Sequence, residues 1–147
     1  MSYLINLISD EAREKQSMSR DFSEKRILLV DDEADITSSF QIGLEQYGFK
    51  VFTYNDPVFA LSEFRAELYD LLLVDIRMPG MTGLEFCEKI KHIDYKIEVC
   101  FITGFEEYYG QLSAAFPNID LEKCYILKPI AISDLAKKIS KILNIDS

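Results

Sequence analysis

The chain has 147 residues, 48% hydrophobic and 28% charged, which suits one soluble globular domain with a single core. Its formal net charge of −9 argues against a nucleic-acid surface, because phosphate binding needs clustered Lys and Arg. No apolar run approaches the roughly 20 residues that span a bilayer, so no membrane partner is expected.

Residues 1–24 stand apart as an N-terminal extension. Tyr3, Leu4, Leu7, Ile8 and Ala12 can form one stripe of a short helix, followed by a polar stretch to Ser23. Two readings stay open: a frayed tail, or a helix that docks on the domain or on a second copy. The apolar patch in residues 1–10 has no basic region before it and no small-residue cleavage site. A secretory signal is therefore not expected, and the chain reads as cytoplasmic. Residues 25–147 form the expected domain, with no second domain expected after Ser147.

From Arg26 onward, strand and helix patterns alternate. Ile27-Leu28-Leu29-Val30 is short, rich in branched residues and without polar alternation, as in a strand buried on both faces; it runs into Asp31-Asp32. Ile36, Phe40, Leu44 and Tyr47 then recur at helical spacing, and Gly48 can close that helix. A second strand is predicted over 49–54. Asp56-Pro57 reads as an N-cap with Pro in the first turn, opening a helix through Val58, Leu61, Phe64 and Leu68. The buried run Leu71-Leu72-Leu73-Val74 ends in Asp75, and a loop covers 76–81. Thr82 and Glu85 fit a capping box for a helix to about His92.

A fourth strand is predicted over 99–103. Phe105, Tyr108, Tyr109, Leu112 and Phe116 mark a fourth helix, which Pro117 stops. A fifth strand, 124–128, ends in Lys128. The last helix carries Ile132, Leu135, Ala136, Ile139, Ile142 and Leu143 on one face. Five βα units with right-handed crossovers force a parallel sheet covered on both sides. The predicted class is therefore α/β, a doubly wound flavodoxin-like fold of strand order 2-1-3-4-5.

Cys87, Cys100 and Cys124 make no metal-type spacing and have apolar flanks, so they read as buried free thiols. Lys137, Lys138 and Lys141 read as a solvated helix face. His92, near a helix C-terminus, reads as a surface residue rather than a ligand.

The chemistry gathers at the carboxyl edge of the predicted sheet. A strand-terminal Asp can simply cap the next helix, but three acids and a lysine converging on one edge ask for more. Asp31, Asp32 and Asp75 repel one another there, each pair by on the order of 4 kcal/mol at about 4 Å and an effective dielectric of about 20. A hard divalent cation such as Mg²⁺ offsets that repulsion, with the amine of Lys128 supplying further charge. A carboxylate so held suits phosphoryl transfer, with Asp75 attacking in line to form an aspartyl phosphate. Thr103 is placed to hydrogen-bond the phosphoryl oxygen, and Gly104 has no side chain to block the approach.

Asp31-Asp32 after ILLV, Asp75 in LLLVDIRMPGMTG, Thr103 in FITG and Lys128-Pro129 in YILKP together resemble the receiver domain of two-component response regulators. The resemblance runs in order from about Lys25 to Leu143. It implies a stand-alone receiver with Asp75 as phosphoacceptor. Asp32 and Asp75 would ligate Mg²⁺, Asp31 through water, and the backbone carbonyl of Arg77 would complete the shell. Lys128 would contact the phosphoryl group, and Thr103 and Tyr125 would be the switch pair. Lys128-Pro129 would be a cis peptide. The implied donor is a histidine kinase or phosphotransfer protein. The implied reader is a protein effector on the fourth helix, fifth strand and last helix, and a homodimer stays open. No enzyme activity is implied beyond self-phosphorylation and autodephosphorylation.

The stretch between Thr103 and Tyr125 is longer than the family pattern, through Pro117-Asn118-Ile119-Asp120. Arg77 and Phe105, each two residues past a key site residue, are expected to hinder the attacking water and prolong the phosphorylated state; a solvated loop charge is the other reading of Arg77. Two alternative functions remain. An Asp-nucleophile phosphohydrolase would need a lid and a general acid, neither of which is found. A constitutive interaction module would not need the intact set of acids, Thr and Lys.

Overall fold

The computed structural model describes residues 24–145, so the stripe predicted at Tyr3–Ala12 and the polar stretch to Ser23 lie outside the described residues. Five parallel strands form one sheet in the order β2-β1-β3-β4-β5, as predicted: β1 (Arg26–Val30), β2 (Lys50–Tyr54), β3 (Leu71–Val74), β4 (Glu98–Thr103) and β5 (Tyr125–Leu127). The helices are α1 (Ala34–Glu45), α2 (Pro57–Glu63), α3 (Gly83–Ile93), α4 (Tyr109–Ala115), the one-turn α5 (Leu121–Cys124) and α6 (Ile132–Ile142).

The absence of polar alternation in β1 and β3 has a direct cause. Leu28, Val30, Leu72 and Val74 face one apolar layer, with Ala60 of α2, Phe86 and Ile90 of α3 and Leu112 of α4. Ile27, Leu29, Leu71 and Leu73 face the other, with Leu44 of α1 and Leu135 and Ile139 of α6. Both faces are dry, so every position must be apolar. Each fully buried Leu or Ile contributes about 1.5–3 kcal/mol of transfer free energy.

Several element ends differ from the sequence reading. The helix opened by Asp56 does have its carboxylate on the Val58 and Phe59 N–H groups, but it stops at Glu63. Phe64 is extended, and Glu67 takes the left-handed conformation at φ 67°. Phe64 and Leu68 still pack on the core, from a loop, and Phe64 stacks on Tyr69 with centroids 5.8 Å apart. Helical spacing was met by loop packing instead. Tyr47 lies past the end of α1 and is 54% exposed rather than on its apolar stripe, while Gly48 closes the turn at φ 93°.

The fourth helix is shorter than predicted. Phe105 is extended, Glu106–Tyr108 is a 3-10 turn, and α4 follows. The extra segment after Pro117 folds as α5, capped by the Asp120 carboxylate on the Glu122 N–H. Cys124 therefore ends a helix, and β5 begins at Tyr125. The capping residue predicted at Thr82 accepts from the Glu85 N–H at 3.2 Å. Lys128-Pro129 is cis. Cys87, Cys100 and Cys124 are free and buried, and burial pushes the Cys87 thiol up to about 12.

One glycine fixes the geometry beneath the site. The Gly83 N–H donates to the Ile76 carbonyl at 2.7 Å, drawing the start of α3 against the end of β3. A Cβ at Gly83 would run into the Asp75 carbonyl oxygen. The residue must be glycine for the 76–82 loop to fold back this closely.

Candidate functional site

Because β1 and β3 are neighbours, the residues that follow them emerge side by side at the carboxyl edge. The Asp75 N–H donates to the Val30 carbonyl at 3.0 Å, extending the ladder one step beyond the strand. Asp31 is fully buried, Asp75 nearly so, and Asp32 is exposed. One carboxylate oxygen from each lies within 4.8 Å of the others.

Lys128 reaches this group from the end of β5. Its Nζ is 2.8 Å from Asp31 Oδ2 and 3.2 Å from Asp75 Oδ2. Its backbone N–H donates to the Thr103 carbonyl at 2.8 Å, which fixes where the side chain starts. Asp31 is held from several directions. Its Oδ1 accepts the Glu33 N–H at 3.0 Å, and its carbonyl accepts from Asn55 Nδ2 at 2.8 Å. Asn55 also donates to Thr37 Oγ1 at 3.0 Å. The sequence reading missed Asn55 and Thr37; Asn55 adjoins the Asp56 cap, but its role depends on β2 lying next to β1.

The charges are unequal, three carboxylates around one ammonium. Burial pushes the Asp75 carboxyl above its ordinary value; Lys128 opposes that and Asp31 adds to it. Burial works against the Lys128 ammonium too, but Asp31 and Asp75 outweigh it and hold the amine above its ordinary value. Hard oxygen donors with surplus negative charge fit Mg²⁺ chemically. Asp32, Asp75 and Asp31 are the side chains that would hold it, with the carbonyl of Arg77, two residues past Asp75, as the backbone candidate.

Thr103, fully buried at the end of β4, accepts the Phe105 N–H on its hydroxyl at 3.4 Å. Tyr125 is half-buried, and its hydroxyl donates to the Phe105 carbonyl. Phe105 thus joins the two predicted switch residues through its main chain. The Arg77 guanidinium carbon sits 4.6 Å from the centroid of the Phe105 ring. Phe105 and Tyr109 are 41% and 42% exposed, and the Tyr109 ring meets Tyr125 edge-on at 5.4 Å.

Two open depressions flank the acids. One, of about 470 Å³, is lined by Asp32, Asn55 and Gly80 among others; the second, of about 400 Å³, by Arg77, Thr82 and Tyr108. A larger one of about 540 Å³ lies at the opposite edge of the sheet, lined by Glu67, Asp94 and Lys96 among others. It holds none of the converging groups, so size does not mark the site. His92 is exposed, as are Lys137, Lys138 and Lys141.

Comparison with known proteins gives a consistent picture. A family model described as the response regulator receiver domain matches residues 27–140. The chain is 33% identical over 121 residues to the response regulator receiver protein CpdR of Brucella abortus, covering 81% of this chain and 97% of that one. It is 28% identical to the alkaline phosphatase synthesis transcriptional regulatory protein PhoP of Bacillus subtilis, spanning 82% of this chain but 49% of that regulator. Among solved structures, the response regulator TrrA of Thermotoga maritima, crystallised with Mg²⁺-BeF, superposes with TM-score 0.68 at 30% identity, covering 80% of this chain and 98% of TrrA. A CheY-like receiver domain protein of Methanospirillum hungatei superposes with TM-score 0.69 at 30% identity, covering 82% and 94% of the two chains.

Proposed function

Since the chain belongs to the response regulator receiver domain family, we propose that it is a phosphorylation switch in which Asp75 accepts the phosphoryl group. The observation that carries this reading is the meeting of Lys128 with Asp31 and Asp75 beside Asp32. A nucleophilic carboxylate must be ionised, near a cation and reachable from the sheet edge. Asp75 stands beside such a cation at that edge: burial pushes its carboxyl up, and Lys128 works against that push.

The donor is a phosphohistidine on a kinase or phosphotransfer protein. An Asp75 oxygen forms a bond to phosphorus as the P–N bond breaks. The electron pair returns to the ring nitrogen, and the protonated ring leaves as neutral imidazole. Mg²⁺, when bound, supplies positive charge opposite the incoming oxygens. Lys128 supplies a second, fixed by its ion pair with Asp31. The Thr103 hydroxyl gives up the Phe105 N–H for a phosphoryl oxygen, and Tyr125 follows. The face of α4, β5 and α6 then changes shape for a protein reader. The chain acts on no outside substrate.

A receiver working through protein contacts is favoured by the Brucella relative, matched over 97% of its length, whereas the Bacillus regulator is matched over 49% of its own. Among the described residues no helix is long and apolar enough to cross a membrane, and a cytoplasmic site of action fits this reading. Arg77 and Phe105 narrow the approach of water to Asp75. Arg77→Asn and Phe105→Glu are each expected to speed loss of phosphate, followed by the decay of the phosphorylated mass.

The primary test is intact mass after incubation with a small phosphodonor and Mg²⁺. One added phosphate is expected in the wild type and none in Asp75→Asn. A wild-type chain that takes up none refutes the assignment.

A further inference from the structure

We propose that the Arg77–Phe105 stack is a charge-operated latch, opened when a phosphoryl group on Asp75 draws the guanidinium off the ring. This rests on the receiver reading above. Arg77 lies between Ile76 and Met78, both buried, so the loop is pinned and its exposed side chain is the part free to swing. The guanidinium carbon sits 4.6 Å from the Phe105 centroid, on an exposed side chain two residues past Asp75. Asp31 and Asp75 are engaged by Lys128, and Asp31 also by the Glu33 N–H, while Asp32 is exposed. A phosphoryl group on Asp75 would project outward from them with up to two negative charges and three acceptor oxygens. A guanidinium forms charge-assisted, bidentate bonds to such a group, which exceed its attraction to an aromatic face.

The latch matters because of what else Phe105 holds. Its N–H is donated to Thr103 and its carbonyl accepts from Tyr125. Its ring meets Tyr108 edge-on at 6.2 Å. While Arg77 sits on the ring, Phe105 keeps the Thr103 hydroxyl and the Tyr125 phenol in their present places. Loss of the cation loosens one anchor shared by both. Arg77 is then a positioning residue in the free chain and a phosphoryl contact in the charged one, while Phe105 is a positioning residue throughout.

Competition for one guanidinium predicts opposite signs for the two residues. The measurement is titration of the full chain with beryllofluoride in Mg²⁺, read by tyrosine fluorescence and by amide hydrogen exchange over 103–109. Phe105→Leu removes the competing ring and is expected to bind the mimic about threefold tighter, with faster exchange over 103–109 before any mimic is added. Phe105→Tyr keeps the ring face and is expected to match the wild type. Arg77→Gln is expected to bind more weakly. Phe105 is 41% exposed, so these changes open no core cavity. Equal or weaker binding by Phe105→Leu overturns the latch alone. A wild-type chain that neither binds beryllofluoride nor gains phosphate overturns the receiver reading and the latch with it.

Discussion

Asp31 and Asp75 look alike in the sequence but differ in the fold. Asp31 is sealed, paired with Lys128 at 2.8 Å and bound to a backbone N–H, so it fixes the ammonium. Asp75 has the longer contact, 3.2 Å, and a carboxyl pushed up by burial. The signs follow. Asp75 binds its proton more tightly folded than unfolded, so its contribution to stability falls as pH rises from its ordinary 3.8 through the raised value, then stays level. Asp75→Asn is therefore expected to raise the metal-free melting temperature at neutral pH, by about 1 kcal/mol or about 2–4 °C. Lys128 has the same direction of dependence at much higher pH: its stabilisation is full below 10.5 and lost as pH rises through the raised value. Lys128→Arg, which stays charged, is expected to flatten that alkaline loss in thermal melts across pH. These strand-end charges were legible from the sequence because each closes an apolar run. The role of Phe105 was not, because it rests on main-chain bonds that no side-chain type announces.

At the scale of elements, the buried strands were the easiest to read and the loops the hardest. β1 and β3 are dry on both faces, which leaves a continuous apolar signature. Phe64 and Leu68 kept helical spacing without a helix, because Glu67 turns left-handed and gives its N–H to the Asp94 carboxylate at 2.9 Å. α5 went unread, although Asp120 three residues after the Pro117 stop is its cap. The junction of β3 and α3 is the element-level weak point. Gly83→Ala forces a Cβ onto the Asp75 carbonyl. It is expected to cost about 1–3 kcal/mol by thermal melt and to slow phosphate uptake by mass, because the nucleophile's own backbone must shift.

Across the whole molecule, two apolar layers sandwich one sheet and leave the chemistry at a single edge. Folding therefore assembles surplus negative charge there before any ligand arrives. Mg²⁺ is expected to raise the melting temperature of the wild type, by about 2.7 kcal/mol at a hundredfold excess over its dissociation constant, and chelation to reverse it. Asp32→Asn is expected to blunt that gain. Because Asp32 is exposed, its loss leaves the core intact and isolates the binding effect.

β5 is three residues long, with Tyr125 at its start and Lys128 just past its end. Phe101 and Thr103 of β4 lie opposite Tyr125 and Leu127, and the Lys128 N–H is tied to Thr103. A segment of about 10 Å is too short and too well paired to bend. It carries the ammonium at one end and the phenol at the other, so on the proposed function a pull on the half-buried amine would reach the half-buried ring through one short paired segment.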